Sequence, residues 1–335
     1  MAGNPALRNF IGKPLYPEAC DSDIDVSSMD PASNAQTYIE TILKLEEIDA
    51  GIYRGRSPQT RFNPRVYGGQ FCAQALAAAY KTITNNFRVH SLHCNFLFPG
   101  NTKKPIIYRV ERMKETRRFA NRHVRATQDG TVCFFMSVSF QDIGLGGLSH
   151  HIPMPPAPSP MVVPNDAERY RAMSKDERLP EKVRNALVRA SEMPFAMEIR
   201  RHDPSHLFFP DKREPSMVQW MRSYGRLSKD PLVHHCVLAY ASDSAMVGTL
   251  LRPHGISFTD KRLRTASLDH SVWFHEDFRA DEWMLFETHS PCTSNGRGVA
   301  FGNIFDSSGK LVVSVAQEAF IEYDNLEELR VKSNL

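Results

Sequence analysis

The sequence contains no apolar run of the roughly 18 to 20 residues that a membrane-spanning helix needs. Its first 25 residues also lack the continuous apolar segment of a secretory signal, so neither a membrane span nor export is expected. Charge of one sign is scarce too: 41 Lys and Arg against 38 Asp and Glu leave +3 over 335 residues. This balance does not favour a protein whose whole surface binds nucleic acid.

Cysteine is sparse, and no CxxC pair or Cys/His cluster at zinc-finger spacing occurs. We interpret the cysteines as reduced, mostly buried thiols. They are Cys20, Cys72, Cys94, Cys133, Cys236 and Cys292. The motifs HExxH, GxSxG and GxxxxGK[ST] are absent, and no GxGxxG opens a helix after a strand. Zinc hydrolysis, serine hydrolysis of the α/β type, nucleotide hydrolysis and dinucleotide redox chemistry therefore lose their usual evidence, and we predict no metal and no cofactor.

What is present is an ordinary globular composition, with 41% hydrophobic and 24% charged residues. Residues 1–36 are rich in Pro, Asp, Ser and Asn without an apolar period, which predicts a loosely ordered leader. A Pro- and Gly-rich stretch followed by a charged one predicts a long linker with short helices at 143–215. The chain then divides into two halves, 37–142 and 216–325, and a tail at 326–335.

Each half shows a helix followed by strands. In the first, QFCAQALAAAY after two glycines predicts a buried helix over 69–82, and the alternation of TVCFFMSVSFQ predicts a half-buried strand over 131–141. The second half has a helical stretch at 231–245 and then strands around SLDHSVWFH, EWMLFETH, GVAFGNIF and KLVVSVAQEAFIEY. These similar plans suggest two copies of one fold.

A shift of 176 residues aligns Ser91 with Ser267 and Gln141 with Gln317. Two such short matches are either a trace of duplication or a coincidence.

Polar residues interrupt apolar rows at two places in the second half. Projected as a helix, 231–245 puts Asp243 inside the stripe that contains Cys236, Val237 and Tyr240. Along the strand KLVVSVAQEAF, Gln317 lies on the apolar face. A carboxylate aimed at apolar surroundings often marks a functional group, although a solvated Asp at a helix end explains the first pattern equally well. For Gln317 the pattern alone favours a core amide bonded to neighbouring backbone over a catalytic role.

Other polar groups carry less information. Ser267 taken alone is a common strand hydroxyl. The histidines, including His234, His235, His270 and His275, are interpreted as core or surface groups because no metal-ligand spacing connects them. The basic run KETRRFANRHVR at 114–125 is more typical of a solvated sheet face than of a nucleic-acid site.

Several longer motifs occur in a fixed order: RVYGGQFCAQALAAA, VHSLHCNFLFPG, KKPIIYRVE, AYASD, RPHGISF, SLDHSVWFH and VAQEAF. In these the chain resembles the type II acyl-CoA thioesterase family, which includes bacterial thioesterase II and peroxisomal acyl-CoA thioesterases. The resemblance covers about residues 38–142 and 216–323.

The resemblance implies an α+β double hotdog, in which each half wraps a curved antiparallel sheet around a long helix. It also implies hydrolysis of acyl-CoA to fatty acid and CoA by an Asp, a Ser or Thr, and a Gln, which here correspond to Asp243, Ser267 and Gln317. Backbone N–H groups near Gly68 and Gly69 would then stabilise the oxyanion. A homodimer or higher homo-oligomer is the default expectation for such a chain.

Two other functions stay open at this point. The hotdog fold also hosts enoyl-CoA hydratases, and DPLVH at 230–234 faintly resembles their Asp-x-Asn-Pro-x-His pattern without its Asn spacing. A noncatalytic acyl-CoA-binding protein is the third interpretation.

The final Ser333-Asn334-Leu335 resembles the Ser-Lys-Leu address read by the peroxisomal import receptor, with its basic residue replaced. We therefore expect a peroxisomal location, and otherwise a cytoplasmic one.

Overall fold

The computed structural model describes residues 35–57, 65–84, 86–144, 146–192, 196–203, 211–258 and 260–324. Nearly all of the predicted leader, and the tail with its Ser-Asn-Leu end, lie outside the described residues.

The described chain is built on one large antiparallel sheet of thirteen strands. The strands are β1 (Glu46–Asp49), β2 (Ile52–Gly55), β3 (Phe87–Phe96), β4 (Ile106–Glu115), β5 (Phe119–Gln128), β6 (Thr131–Asp142), β7 (Met197–Arg201), β8 (Ser216–Ser223), β9 (Leu263–Ser267), β10 (Asp269–Phe274), β11 (Met284–Ser294), β12 (Arg297–Phe305) and β13 (Leu311–Tyr323). Their order is β1-β2-β4-β5-β6-β3-β10-β13-β12-β11-β8-β7, with β9 paired to β13. The two halves of the chain therefore join where β3 pairs with β10, from Ser91 opposite Trp273 to Asn95 opposite Asp269.

Within the described residues, six α-helices accompany the sheet: α1 (Ala35–Leu43), α2 (Gly68–Tyr80), α3 (Asp166–Met173), α4 (Glu181–Glu192), α5 (Pro231–Ala241) and α6 (Met246–Leu251). Helix α2 is buried from Gly69 to Tyr80 and packs on β4, β5 and β6, while α6 packs on β11 and β12. The small residues of α2 let α5 pack directly against α2, and both helices contribute to one continuous apolar core. Two antiparallel half-sheets, each wrapped around its helices, form the expected double hotdog. None of the helices in the described ranges is long and apolar enough to cross a membrane.

The strand alternation has the expected faces, and it decides between the two explanations of the match between Gln141 and Gln317. In β6 the residues Phe134, Met136, Val138 and Phe140 are buried, whereas Gln141 lies on the other face. Gln317 in β13 instead lies on the buried face. Residues at equivalent positions of two copies of a fold lie on the same face of their strands, so Gln141 and Gln317 are not structural equivalents. The match of Gln141 to Gln317 is therefore a coincidence of sequence.

The segment predicted as a linker contains a 3-10 turn at Pro160–Val162, the helices α3 and α4, and the strand β7, which pairs with β8 at the end of the sheet. A strand was not expected there because Glu198 interrupts its apolar pattern. Glu198 is nonetheless buried, and its carboxylate accepts hydrogen bonds from Arg200 and Arg222. Pairing with two guanidinium groups is what permits a carboxylate at a buried strand position.

Candidate active site

Asp243 lies at the point where helix α5 ends. The helix begins at a Pro in its first position, and the Asp230 carboxylate accepts a hydrogen bond from Leu232 N (3.0 Å). After Ala241 the helix tightens into a 3-10 turn over Ser242–Ser244, somewhat earlier than the predicted end at 245. This turn places Asp243 beside the N-terminus of α2 instead of letting it project into solvent.

The contact between Asp243 and α2 depends on two glycines. Gly69 N–H donates to Asp243 Oδ2 over 3.1 Å. A Cβ on Gly68 would lie 2.7 Å from the same carboxylate oxygen, and a Cβ on Gly69 would lie 2.1 Å from the backbone oxygen of Tyr240. Because glycine has no Cβ, the two helix ends can approach closely, and the partial positive charge at the helix N-terminus faces the carboxylate.

Gln317 and Ser267 complete a cluster with Asp243. Gln317 is 1% exposed in the apolar row of β13, and its Nε2 donates to Ser267 Oγ over 2.8 Å. The same amide also favours the ionised form of the Asp243 carboxylate. Ser267 is the last residue of β9, opposite Ala319 of β13. The structure therefore brings together the acid, the hydroxyl and the amide that the sequence singled out.

Burial sets the acidity of the cluster. Loss of water around Asp243 raises its pKa to about 7, although hydrogen bonds from the Gln317 amide and from Gly69 N–H favour the ionised form. At neutral pH the group therefore exists both as a carboxylate and as a carboxylic acid. A carboxylate with such a pKa is well suited to accept a proton from water and to return it.

The backbone N–H groups of Gly68 and Gly69 differ in their hydrogen-bond partners. Gly69 N–H is already used by Asp243. Gly68 is the first residue of α2, so its N–H has no acceptor inside its own helix. Of the two expected oxyanion donors, Gly68 N–H is the one that a substrate oxygen could use.

His270, which the sequence pattern indicated to be a core or surface group, contacts this cluster. His270 Nδ1 lies 2.7 Å from Gln317 Oε1, and His270 Nε2 lies 2.8 Å from Ser242 Oγ. His270 shares the buried face of β10 with Val272 and Phe274. The sequence pattern could have indicated this position, because a polar His interrupts an apolar strand face just as Gln317 does.

In the DPLVH segment, Asp230 and His234 make hydrogen bonds that stabilise the local fold. Asp230 caps α5. His234 is buried, with Nε2 3.0 Å from Ser228 O and Nδ1 accepting from Ala280 N–H. Within the described ranges, no group of three or more His, Cys, Asp or Glu side chains is arranged to hold a metal ion.

A double hotdog that holds a carboxylate, a hydroxyl and an amide together defines a hotdog-fold enzyme of the thioesterase class. Residues 56–141 match the family model described as "Acyl-CoA thioesterase N-terminal domain", and residues 195–320 match the one described as "Acyl-CoA thioesterase". The chain belongs to the type II acyl-CoA thioesterase family.

Individual relatives agree with this membership. "Acyl-coenzyme A thioesterase 8" of Mus musculus is 37% identical over 84% of this chain and 88% of its own length. "Peroxisomal acyl-coenzyme A thioester hydrolase 1" of Saccharomyces cerevisiae is 24% identical over 79% of this chain and 88% of its own. The crystal structure of the acyl-CoA thioesterase II TesB2 from Mycobacterium marinum is 33% identical, with a TM-score of 0.68, and covers 86% of this chain and 98% of its own.

Proposed function

We propose that the protein hydrolyses fatty acyl-CoA to free fatty acid and CoA by means of a water molecule activated by Asp243, Ser267 and Gln317. The observation that carries the proposal is the hydrogen-bonded pair of Gln317 and Ser267 beside the buried Asp243 carboxylate, whose pKa is raised to about 7. The names of the relatives support the choice of a thioester of CoA as substrate.

In the proposed reaction, ionised Asp243 takes a proton from a water held by Ser267 Oγ and the Gln317 amide. The water oxygen bonds to the thioester carbonyl carbon, and Gly68 N–H stabilises the resulting oxyanion. Each such donor is worth roughly 3 kcal/mol in other enzymes. The oxyanion then collapses, the C–S bond breaks, and the CoA thiolate receives the proton from Asp243.

A second route starts from the same residues. Asp243 could attack the carbonyl carbon directly and form an anhydride, which water would then cleave. Single-turnover hydrolysis in heavy-oxygen water tests this route, because water that attacks the Asp243 carbonyl of the anhydride labels the Asp243 carboxylate, whereas direct attack of water on the thioester labels only the fatty acid.

The direct test of the function is release of free thiol from a series of acyl-CoA substrates of different chain lengths. Hydrolysis predicts stoichiometric thiol and fatty acid. A hydratase would consume enoyl-CoA without releasing thiol, and a noncatalytic binding protein would bind acyl-CoA with no turnover. The structural duties of Asp230 and His234 favour hydrolysis over hydration.

The raised pKa of Asp243 predicts the pH dependence. Because the base must be ionised, kcat/KM should rise with pH and reach half of its plateau near pH 7 in the free enzyme. The measurement is a pH profile of kcat/KM with one acyl-CoA substrate. An acid limb at pH 4 to 5, where an ordinary Asp titrates, would contradict the assignment of this group as the base.

We further propose that the reaction takes place in the peroxisome. The support is the Ser333-Asn334-Leu335 terminus, which lies outside the described residues, together with the name of the yeast relative, a peroxisomal acyl-coenzyme A thioester hydrolase. A fluorescent reporter carrying the last ten residues should become punctate and colocalise with a peroxisomal marker. The same reporter lacking Leu335 is the control, and diffuse fluorescence of both would remove this support.

A further inference from the structure

The Gln317 amide belongs to a series of polar contacts that runs from Ser267 through Gln317 and His270 to Ser242. On one side its Nε2 donates to Ser267 Oγ, and the amide favours the ionised form of the Asp243 carboxylate. On the other side its Oε1 lies 2.7 Å from His270 Nδ1, and His270 Nε2 lies 2.8 Å from the hydroxyl of Ser242, the residue next to Asp243. His270 and Ser242 are both fully buried. The contacts thus lead from Gln317 through His270 to the residue beside Asp243.

We propose that His270 is a positioning residue: its Nδ1–H donates to Gln317 Oε1 and holds the amide NH2 group toward Asp243 and Ser267. The inference rests on the proposed function, because the direction of the amide affects turnover only if Asp243 and Ser267 handle the attacking water. It assigns a role to a buried histidine that the reaction steps above do not use.

The amide needs such a partner because its two ends have almost the same shape. A half-turn about its last bond would exchange the donor and acceptor ends. While Asp243 is ionised, a carbonyl oxygen facing the carboxylate is unfavourable, so the charge itself selects the observed orientation. After Asp243 has taken a proton in the proposed reaction, its carboxylic acid can donate to that oxygen and the selection is lost. A donor at His270 Nδ1 keeps requiring Oε1 at both stages.

The position of the proton on the His270 ring depends on the contact between His270 Nε2 and the Ser242 hydroxyl. Burial lowers the pKa of His270 to about 4, so the ring is neutral at neutral pH and carries one N–H. Ser242 Oγ has a single hydrogen and two acceptors within reach, His270 Nε2 at 2.8 Å and Ala239 O at 3.1 Å, so it can donate to only one of them, and the shorter distance is to the ring. When the hydroxyl donates to Nε2, the ring proton resides on Nδ1, which is the tautomer that the Gln317 oxygen requires.

Nitrogen-15 NMR of histidine-labelled protein tests the tautomer without reference to catalysis. At pH 8 we expect the His270 resonances to report a proton on Nδ1 and an unprotonated Nε2, with the signals assigned by their loss in His270→Asn. A proton on Nε2 would overturn the proposal, since Nδ1 would then accept from the Gln317 NH2 group and the amide would point the other way.

A matched pair of substitutions tests the consequence for turnover. The amide nitrogen of Asn can occupy the place of His Nδ1, whereas the longer Gln puts its amide near the place of Nε2. We expect His270→Gln to lower kcat by at least ~10-fold, the low end for partners that orient a reacting group, with KM changed by less than about threefold. His270→Asn should keep kcat within about threefold of the wild type.

Equal loss in both variants, or no loss in either, would overturn the inference. If neither variant folds, the wild-type NMR spectrum still decides. Failure of the proposed function is recognised separately, by the absence of thiol release from the wild type or by normal turnover in a folded Asp243→Asn enzyme.

Discussion

Asp243→Asn is expected to lower kcat at least ~100-fold, the low end of general-base contributions, while the protein stays folded. Asparagine has the same shape, and its side-chain oxygen can still accept from Gly69 N–H at the end of α2. What the amide cannot do is take a proton from water. The measurement is steady-state thiol release with saturating acyl-CoA, which isolates kcat from binding.

Asp230→Asn provides a matched control, because Asp230 caps the opposite end of α5 and Asn is an equally good cap. It should keep normal turnover. A folded Asp243→Asn protein with turnover close to that of the wild type would contradict the assignment of the base.

Stability gives an independent check on the folded state of Asp243→Asn. Because the folded-state pKa of Asp243 is raised to about 7, the protonated group contributes stability that is fully present below its unfolded pKa and is lost as the pH rises through about 7. Asparagine does not ionise and avoids that loss. At pH 8 the variant should therefore have a Tm no lower than that of the wild type.

The faces of Asp243 and Gln317 could be predicted from the sequence because helix and strand periods fix which side chains share a surface. A carboxylate in a helix stripe and an amide in a strand row are visible without coordinates. Period alone leaves open which distant residues meet, and the grouping with Ser267 came from the family resemblance. The sharp turn after Ala241, which aims Asp243 at α2, is a tertiary adjustment that the helical projection did not include.

Long-range pairings account for what the sequence could not predict. Gly69 N–H and Asp243 are 174 residues apart, so their contact exists only once α2 and α5 have packed. Arg122 belongs to a run interpreted as a solvated face, yet it is fully buried and donates to Thr82 Oγ1 and to the Glu115 carboxylate. Neither pairing follows from the local charge pattern, because the partner that makes burial tolerable is defined by the fold.

Gly69→Ala is expected to have the second large effect, this time on folding. The added Cβ would lie 2.1 Å from the backbone oxygen of Tyr240 and 2.6 Å from Tyr67 Cε1, so α2 and α5 would have to move apart. Overpacking of this kind costs about 3 kcal/mol, and the separation would also remove the hydrogen bond from residue 69 to Asp243. We expect a large drop in the free energy of unfolding, measured in urea, together with loss of thiol release.

Gly68→Ala separates the two consequences of that clash. Its added Cβ would meet Asp243 Oδ2 at 2.7 Å and the flexible ring of Phe96 at 3.1 Å, both of them side-chain atoms that can shift. Gly68→Ala should therefore fold with a smaller loss of stability but with a displaced carboxylate and a reduced kcat. Gly147→Ala is the control, since no atom lies within 4 Å of its added Cβ. Wild-type stability in Gly69→Ala would contradict the close approach of the two helix ends, on which the position of the base depends.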